Sequence, residues 1–209
     1  MNTTQMPFKP EDYSLNEKIG YGGANNVYLL QSNKKSKESF VLKTNNISGG
    51  VDDRNTMLGI AKEQKSEYER IRSVYGAIEG LIPQEFYTIL QGPRNSEPVV
   101  AMIQPFISGN IRDIFQDFEP EELKSLLRRN KTLMKQVKGF VKATKSDPEL
   151  INSELDLLGE NNLSIVGEGG KERLLFLDPH FRIAEFRSPQ IQRKIEERFD
   201  YLSQLSEDS

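Results

Sequence analysis

Residues 155–180 read LDLLGENNLSIVGEGGKERLLFLDPH. Asp156, the Asn161–Asn162 pair and Asp178 each border apolar runs, and Leu163–Ile165 and Leu174–Leu177 read as two strands joined by VGEGGKE. Two carboxylates and an amide are thus held near the ends of one short hairpin. A polar turn would use the same residues, because Asp, Gly and Asn are the usual turn formers.

Composition narrows the chemistry such a stretch can support. The chain has 209 residues, of which 36% are hydrophobic, 28% charged and 9% aromatic. That is a globular composition, long enough for one sizeable core or two small lobes. With no Cys and one His, disulfides, thiolate nucleophiles, Cys-ligated zinc and His-rich metal sites are excluded, and a Ser-His-Asp triad could draw only on His180. A formal net charge of −3 gives no bulk attraction to nucleic acid or to an anionic membrane. There is no apolar run of membrane-spanning length, and MNTTQMPFKPEDYSLNE at the start lacks a signal peptide's apolar core. The expectation is a soluble, cytoplasmic protein.

Upstream of the hairpin, NEKIGYGGANNVYLLQSNKKSKESFVLKTN reads as two strands around a glycine-rich turn, a polar hairpin and a third strand. NNISGGVDDRN is a loop by composition. TMLGIAKEQKSEYERIRSVYGAI has Ile60, Glu67, Ile71, Val74 and Ile78 at roughly helical spacing. EFYTILQG and PVVAMIQPFI form an antiparallel pair around GPRNSE. Composition shifts near Ser108–Gly109. NIRDIFQDF reads as a short amphipathic segment, EPEELKSLLRRNKTLMKQVKGFVKATKSDPEL as one long helix, and SPQIQRKIEERFDYLSQLSEDS as an amphipathic terminal helix. The order is a strand-rich half, a short hinge and a helical half, which is the layout of two lobes.

In the first half, Gly20, Gly22, Gly23 and Val27 lie in GYGGANNV. Glycines there let backbone approach a phosphate closely, although a tight hairpin would use them equally. Flanking strands on both sides disfavour the strand-to-helix turns of dinucleotide and P-loop sites. Lys43 ends the next strand in FVLKT, sixteen residues after Val27. Glu63, Glu67 and Glu69 on the following helix compete to pair with it, and Glu67 shares the face of Ile60, Ile71 and Val74 that should meet the sheet.

Gly20-x-Gly22, Lys43, Glu67, Asp156 followed five residues later by Asn161, and Asp178 after a hairpin occur in the order and strand context of protein kinases. Over about residues 15–182 the sequence resembles a protein-kinase-like phosphotransferase. The resemblance implies an α+β, two-lobe fold. An N-lobe (residues 1–107) would hold an antiparallel sheet and one helix. A reduced, mainly helical C-lobe (residues 108–209) would carry the catalytic loop. It also implies ATP and Mg²⁺ as cofactors. Asp156 would be the catalytic base, Asn161 and Asp178 the metal ligands, and Lys43 the phosphate clamp positioned by Glu67. Backbone groups of Gln104–Ile107 would hold the adenine, with Met102 at the back of its pocket.

Several departures bear on activity. Glu154-Leu155 replaces His-Arg before the base, and Asp178-Pro179-His180 replaces Asp-Phe-Gly, closer to atypical kinases. Asn25 stands where the third glycine belongs, the Ala-Pro-Glu element is missing, and Asn162 competes with Asn161 as ligand. His180 either touches the metal site or completes a turn. The acceptor is then a hydroxyl of a protein, with autophosphorylation included, or of a small molecule, and a protein partner could complete the short C-lobe. A pseudokinase, meaning a nucleotide-sensing or scaffold module without turnover, is the rival, and an unrelated α+β binding protein is the third reading. Finally, Lys124, Arg128, Lys131, Lys135, Lys138, Lys142 and Lys145 recur every three or four positions with no acid between them. They form either a solvated stripe or a patch for a phosphate-rich or acidic partner.

Overall fold

The computed structural model describes residues 13–21, 25–33, 39–45, 54–91, 98–178 and 188–207. It is a mixed α and β structure whose contacts divide it into two units, Met1–Tyr68 with Gln84–Ile107, and Glu69–Pro83 with Ser108–Ser209.

The first unit is built on five antiparallel strands in the order β1-β2-β3-β5-β4. These are β1 (Tyr13–Tyr21), β2 (Asn25–Ser32), β3 (Ser39–Asn45), β4 (Phe86–Gln91) and β5 (Pro98–Pro105). Central β3 is buried from Phe40 through Thr44, as expected for a strand covered on both faces. One face packs Phe40, Leu42, Phe86, Ala101 and Ile103, with Tyr13, Tyr28 and Leu30 against them. Helix α1 (Arg54–Tyr75) begins in this unit. Its Tyr68 ring lies 6.1 Å from that of Tyr87 on β4, and the Tyr68 hydroxyl accepts the Glu85 N–H at 3.1 Å.

In the second unit, β6 (Ile111–Asp113), β7 (Leu163–Val166) and β8 (Arg173–Phe176) form a three-stranded antiparallel sheet. The short amphipathic segment NIRDIFQDF therefore opens with a strand. Helices α2 (Pro120–Arg129), α3 (Lys131–Ser146) and α4 (Pro189–Glu207) complete the unit. Proline in the first turn of α2, followed by Glu121 and Glu122, is a well-formed helix start.

The single long helix expected from Glu119-Pro120 to near Asp147-Pro148 is two helices, broken at Asn130. Asn130 has an extended backbone, and its side-chain oxygen accepts the Leu133 N–H at 2.9 Å as the cap of α3. Its Nδ2 donates to the Glu172 carbonyl and carboxylate, both at 2.9 Å. Tertiary hydrogen bonding makes the break worthwhile where local helical periodicity showed none. Tyr75, Phe140 and Phe176 form the centre of this core, with ring centroids 5.2 to 6.2 Å apart, and the Tyr75 and Thr144 hydroxyls bond at 2.7 Å. Among the described residues no helix is long and apolar enough to cross a membrane.

Candidate functional site

The register of the five-stranded sheet aligns residues that are far apart in sequence. Gly20 pairs with Val27, Val27 with Lys43, Lys43 with Met102, and Met102 with Tyr87. Directly opposed residues share a face, so these five form one row across all five strands. Lys43 is 9% exposed and Met102 is 3% exposed. Alternation puts this row on the face opposite Leu42 and Ile103, which is the face that meets α1 through Tyr68 and Tyr87. Burying a lysine is tolerated where its ammonium has polar or charged company. Gly22 and Gly23 lie outside the described residues, as does His180.

Two residues further along β5, Gln104 points to the same face and is 5% exposed. Its side-chain oxygen is buried and accepts no hydrogen bond among the described residues. The Phe106 N–H donates to the Ser39 carbonyl at 2.9 Å, and Gln104 pairs with Val41. Ladder alternation therefore turns the Gln104 backbone toward β3. The Pro105 carbonyl is directed the other way, beyond Phe86, where β4 pairing begins. The expectation that backbone of the whole Gln104–Ile107 stretch faces a ligand is thus narrowed. At Gln104 the outward polar group is the side chain.

Glu67 is solvent-exposed, one position off the inward stripe of α1, which runs through Tyr68, Ile71 and Tyr75. Ile71 of the expected face lies in that stripe, and Val74 and Ile78 pack against the same core.

In the second unit the segment 155–162 is a tight, multiply tethered turn. It follows a single π-helical turn at Leu150–Glu154. The Asp156 Oδ1 accepts the Leu158 and Gly159 N–H groups at 2.8 and 3.1 Å, leaving Oδ2 outside this turn. Asn162 is buried, and its Nδ2 donates back to the Asp156 carbonyl at 3.2 Å. Its amide lies directly over Gly159, where an added Cβ would meet the Asn162 Cγ at 2.6 Å. The glycine of GENN is required for that close approach.

Asn161 has φ of 60°, a left-handed conformation that Asn tolerates better than most residues. Two residues invisible to motif reasoning hold this turn. Asp113 is 1% exposed; its Oδ2 accepts the Asn161 N–H at 2.8 Å, while Oδ1 accepts those of Phe115 and Gln116 at 2.8 and 3.1 Å. Arg198 of α4 donates to the Leu157 carbonyl and lies over the Phe115 ring, 4.8 Å from its centroid. Neither has a local sequence signal, because each acts across more than forty residues.

Leu163 pairs with Phe176, and the Leu177 N–H donates to the Asn162 carbonyl at 2.7 Å. Extending that register by one more residue sets Asn161 and Asp178 at the same end of the hairpin. Asp178 is half-buried, with Oδ1 shielded from solvent. Among the described residues no group of three or more His, Asp or Glu is placed to hold a metal ion. Asn161 and Asp178 each carry a side-chain oxygen at that end of the hairpin. Two oxygen donors fit Mg²⁺, which usually keeps waters and substrate phosphates for the rest of its shell.

No protein-family model matches the chain, and no curated protein matches it. Among solved structures, it is similar to a chain of the CAK complex from Chaetomium thermophilum bound to ATP-γ-S, at 15% identity and a TM-score of 0.43. The match covers 82% of this chain and 47% of that one, so the chain spans about half the length of this structural neighbour.

Proposed function

We propose that the protein is a kinase-like phosphotransferase that binds Mg·ATP and moves the γ-phosphate to a hydroxyl, with a protein Ser or Thr as the leading acceptor. The observation that supports this most is the sheet row Gly20–Val27–Lys43–Met102–Tyr87. Four of its five residues are those that the kinase resemblance assigns to nucleotide binding. Lys43 would hold the α- and β-phosphates, and the Gln104 side chain with the Ile107 N–H and Pro105 carbonyl would read the base. Asn161 and Asp178 would hold Mg²⁺, which neutralises charge developing on the phosphates. Asp156 would orient the acceptor hydroxyl and take its proton through Oδ2. Glu67 would steady Lys43.

A pseudokinase is the second reading, and one observation favours it: Oδ1 of Asp156 is engaged in its own turn. The test measures the thermal midpoint with ATP, with and without Mg²⁺, in the wild type and in Asp178→Ala, together with γ-phosphate transfer by Asp156→Asn. Binding to the folded state raises the midpoint by mass action. A Mg²⁺-dependent rise lost in Asp178→Ala, with transfer lost in Asp156→Asn, supports the enzyme. The same rise without transfer by the wild type supports the pseudokinase, and no rise refutes both.

A further inference from the structure

Three of the five lysines of α3, Lys135, Lys138 and Lys142, rim a groove of about 1050 Å³ that lies wholly within the second unit. Its apolar floor is supplied by Val74, Ala77 and Ile78 on one side and Ala143 on the other. Gly139 lets the two walls come close, since an added Cβ would meet the Ile78 Cγ1 at 3.2 Å. Lys135, Lys138, Lys142 and Arg173 line the rim and are exposed, with Glu79 the one carboxylate beside them. Among the described residues none of these four cations lies within ion-pair distance of a carboxylate, whereas Lys124 pairs with Glu121 and Lys145 with Glu207.

The groove is also held open by buried polar bonds. Gln136 is 6% exposed; its Nε2 donates to the Glu79 carbonyl at 2.8 Å and its Oε1 accepts the Leu174 N–H at 2.8 Å. One side chain thus fixes α3 against the 76–80 turn and against β8. A preformed groove lowers the ordering cost of binding.

We infer that this groove is a docking site for an acidic, amphipathic segment of a partner protein. Carboxylates of the segment would meet the four rim cations, and its apolar side chains would fill the floor. Charge complementarity selects an anionic partner, and the floor selects among anions. None of the lining residues is aromatic, so the stacking that single-stranded nucleic acid uses has no platform here. Val74, Ile78 and Ala143 suit aliphatic side chains on one face of a helix. This inference stands apart from the phosphotransfer proposal, since the groove uses none of its residues.

The test sorts a surface-displayed library of random peptides, about 16 residues long so that a helix can form, against the full chain. Enriched peptides are then measured by fluorescence anisotropy. The expected result is enrichment of sequences with Asp or Glu and aliphatic residues at helical spacing. Binding should fall roughly tenfold or more in Lys138→Glu/Lys142→Glu. It should weaken as added salt shortens the Debye length from about 10 to about 3 Å. Ala77→Trp, which fills the floor and leaves the charge alone, should weaken it as well. All substituted positions are exposed, and unchanged thermal midpoints show that the variants fold. Enrichment of non-acidic sequences, no enrichment, undiminished binding by both variants, or displacement of the peptide by an equal concentration of oligouridylate each overturns the proposal.

Discussion

Replacing Gln104 by Met should make the protein more stable and its nucleotide affinity weaker. The Gln104 oxygen is buried without a hydrogen-bond donor among the described residues, on the face that carries Lys43 and Met102. Such an atom costs about 1–3 kcal/mol relative to a satisfied or apolar one. Methionine is unbranched and similar in size, so it removes the oxygen without opening a cavity, and the net gain should be about 1–2 kcal/mol. For a chain of this length that corresponds to a rise of roughly 2–8 °C in the thermal midpoint. If the oxygen is kept to accept a hydrogen bond from the base of a bound nucleotide, the same change removes about 1 kcal/mol of binding, or roughly fivefold in Kd. The assay is paired: calorimetric melting of the free protein, and titration of Mg·ATP into wild type and variant. Opposite signs are expected. A lower midpoint would refute the claim that the oxygen is a liability in the free protein. A higher midpoint with unchanged ATP affinity would refute its role toward the ligand.

Three other outcomes follow from the second unit. Asp113→Asn leaves size unchanged but replaces a carboxylate that serves three backbone N–H groups; urea denaturation should show a loss of about 2–3 kcal/mol, and equal stability would refute the hub role. Gly159→Ala drives a methyl into the Asn162 amide and should destabilise by about 1–3 kcal/mol, with much of that loss absent when the change is made in an Asn162→Ala background; strictly additive effects in the double-mutant cycle would show that the two positions do not meet. Glu172 is held below its ordinary value of 4.5 by a backbone N–H, with Asn130 adding to the effect. A lowered folded-state pKa means the stabilisation is present above pH 4.5 and fades as pH falls below it; Glu172→Gln should flatten the acid limb of the melting curve slightly, and an unchanged limb counts against the contact.

Most elements were legible from local pattern. The glycine-turn hairpin, the Lys43 strand, α1, the β4–β5 pair, the β7–β8 hairpin and α4 each carry their own periodicity and turn residues. What local pattern missed involves partners distant in sequence. Asn130 breaks an otherwise continuous helical pattern because it caps α3 and bonds Glu172, forty-two residues away. Ile111–Asp113 is a strand because β7 pairs with it. Tyr68 and Tyr75 belong to the buried stripe of α1 although tyrosines count weakly in apolar periodicity.

At the candidate site, residue order alone singled out Gly20, Val27, Lys43, Met102, Asp156, Asn161 and Asp178, since chemistry requires particular side chains and the chain order records them. Pairing register made a row of four of them and brought Asn161 and Asp178 to one end of a hairpin. Asn162, equal to Asn161 on the page of letters, is committed to the turn by its bond to the Asp156 carbonyl. Asp113, Arg198 and the buried Gln104 oxygen emerge only in three dimensions, because burial and long-range hydrogen bonding depend on neighbours that one-dimensional spacing does not name. The lysines of α3 were visible as a charge run. That Lys135, Lys138 and Lys142 rim an apolar groove was decided by the close approach of the 76–80 turn at Gly139.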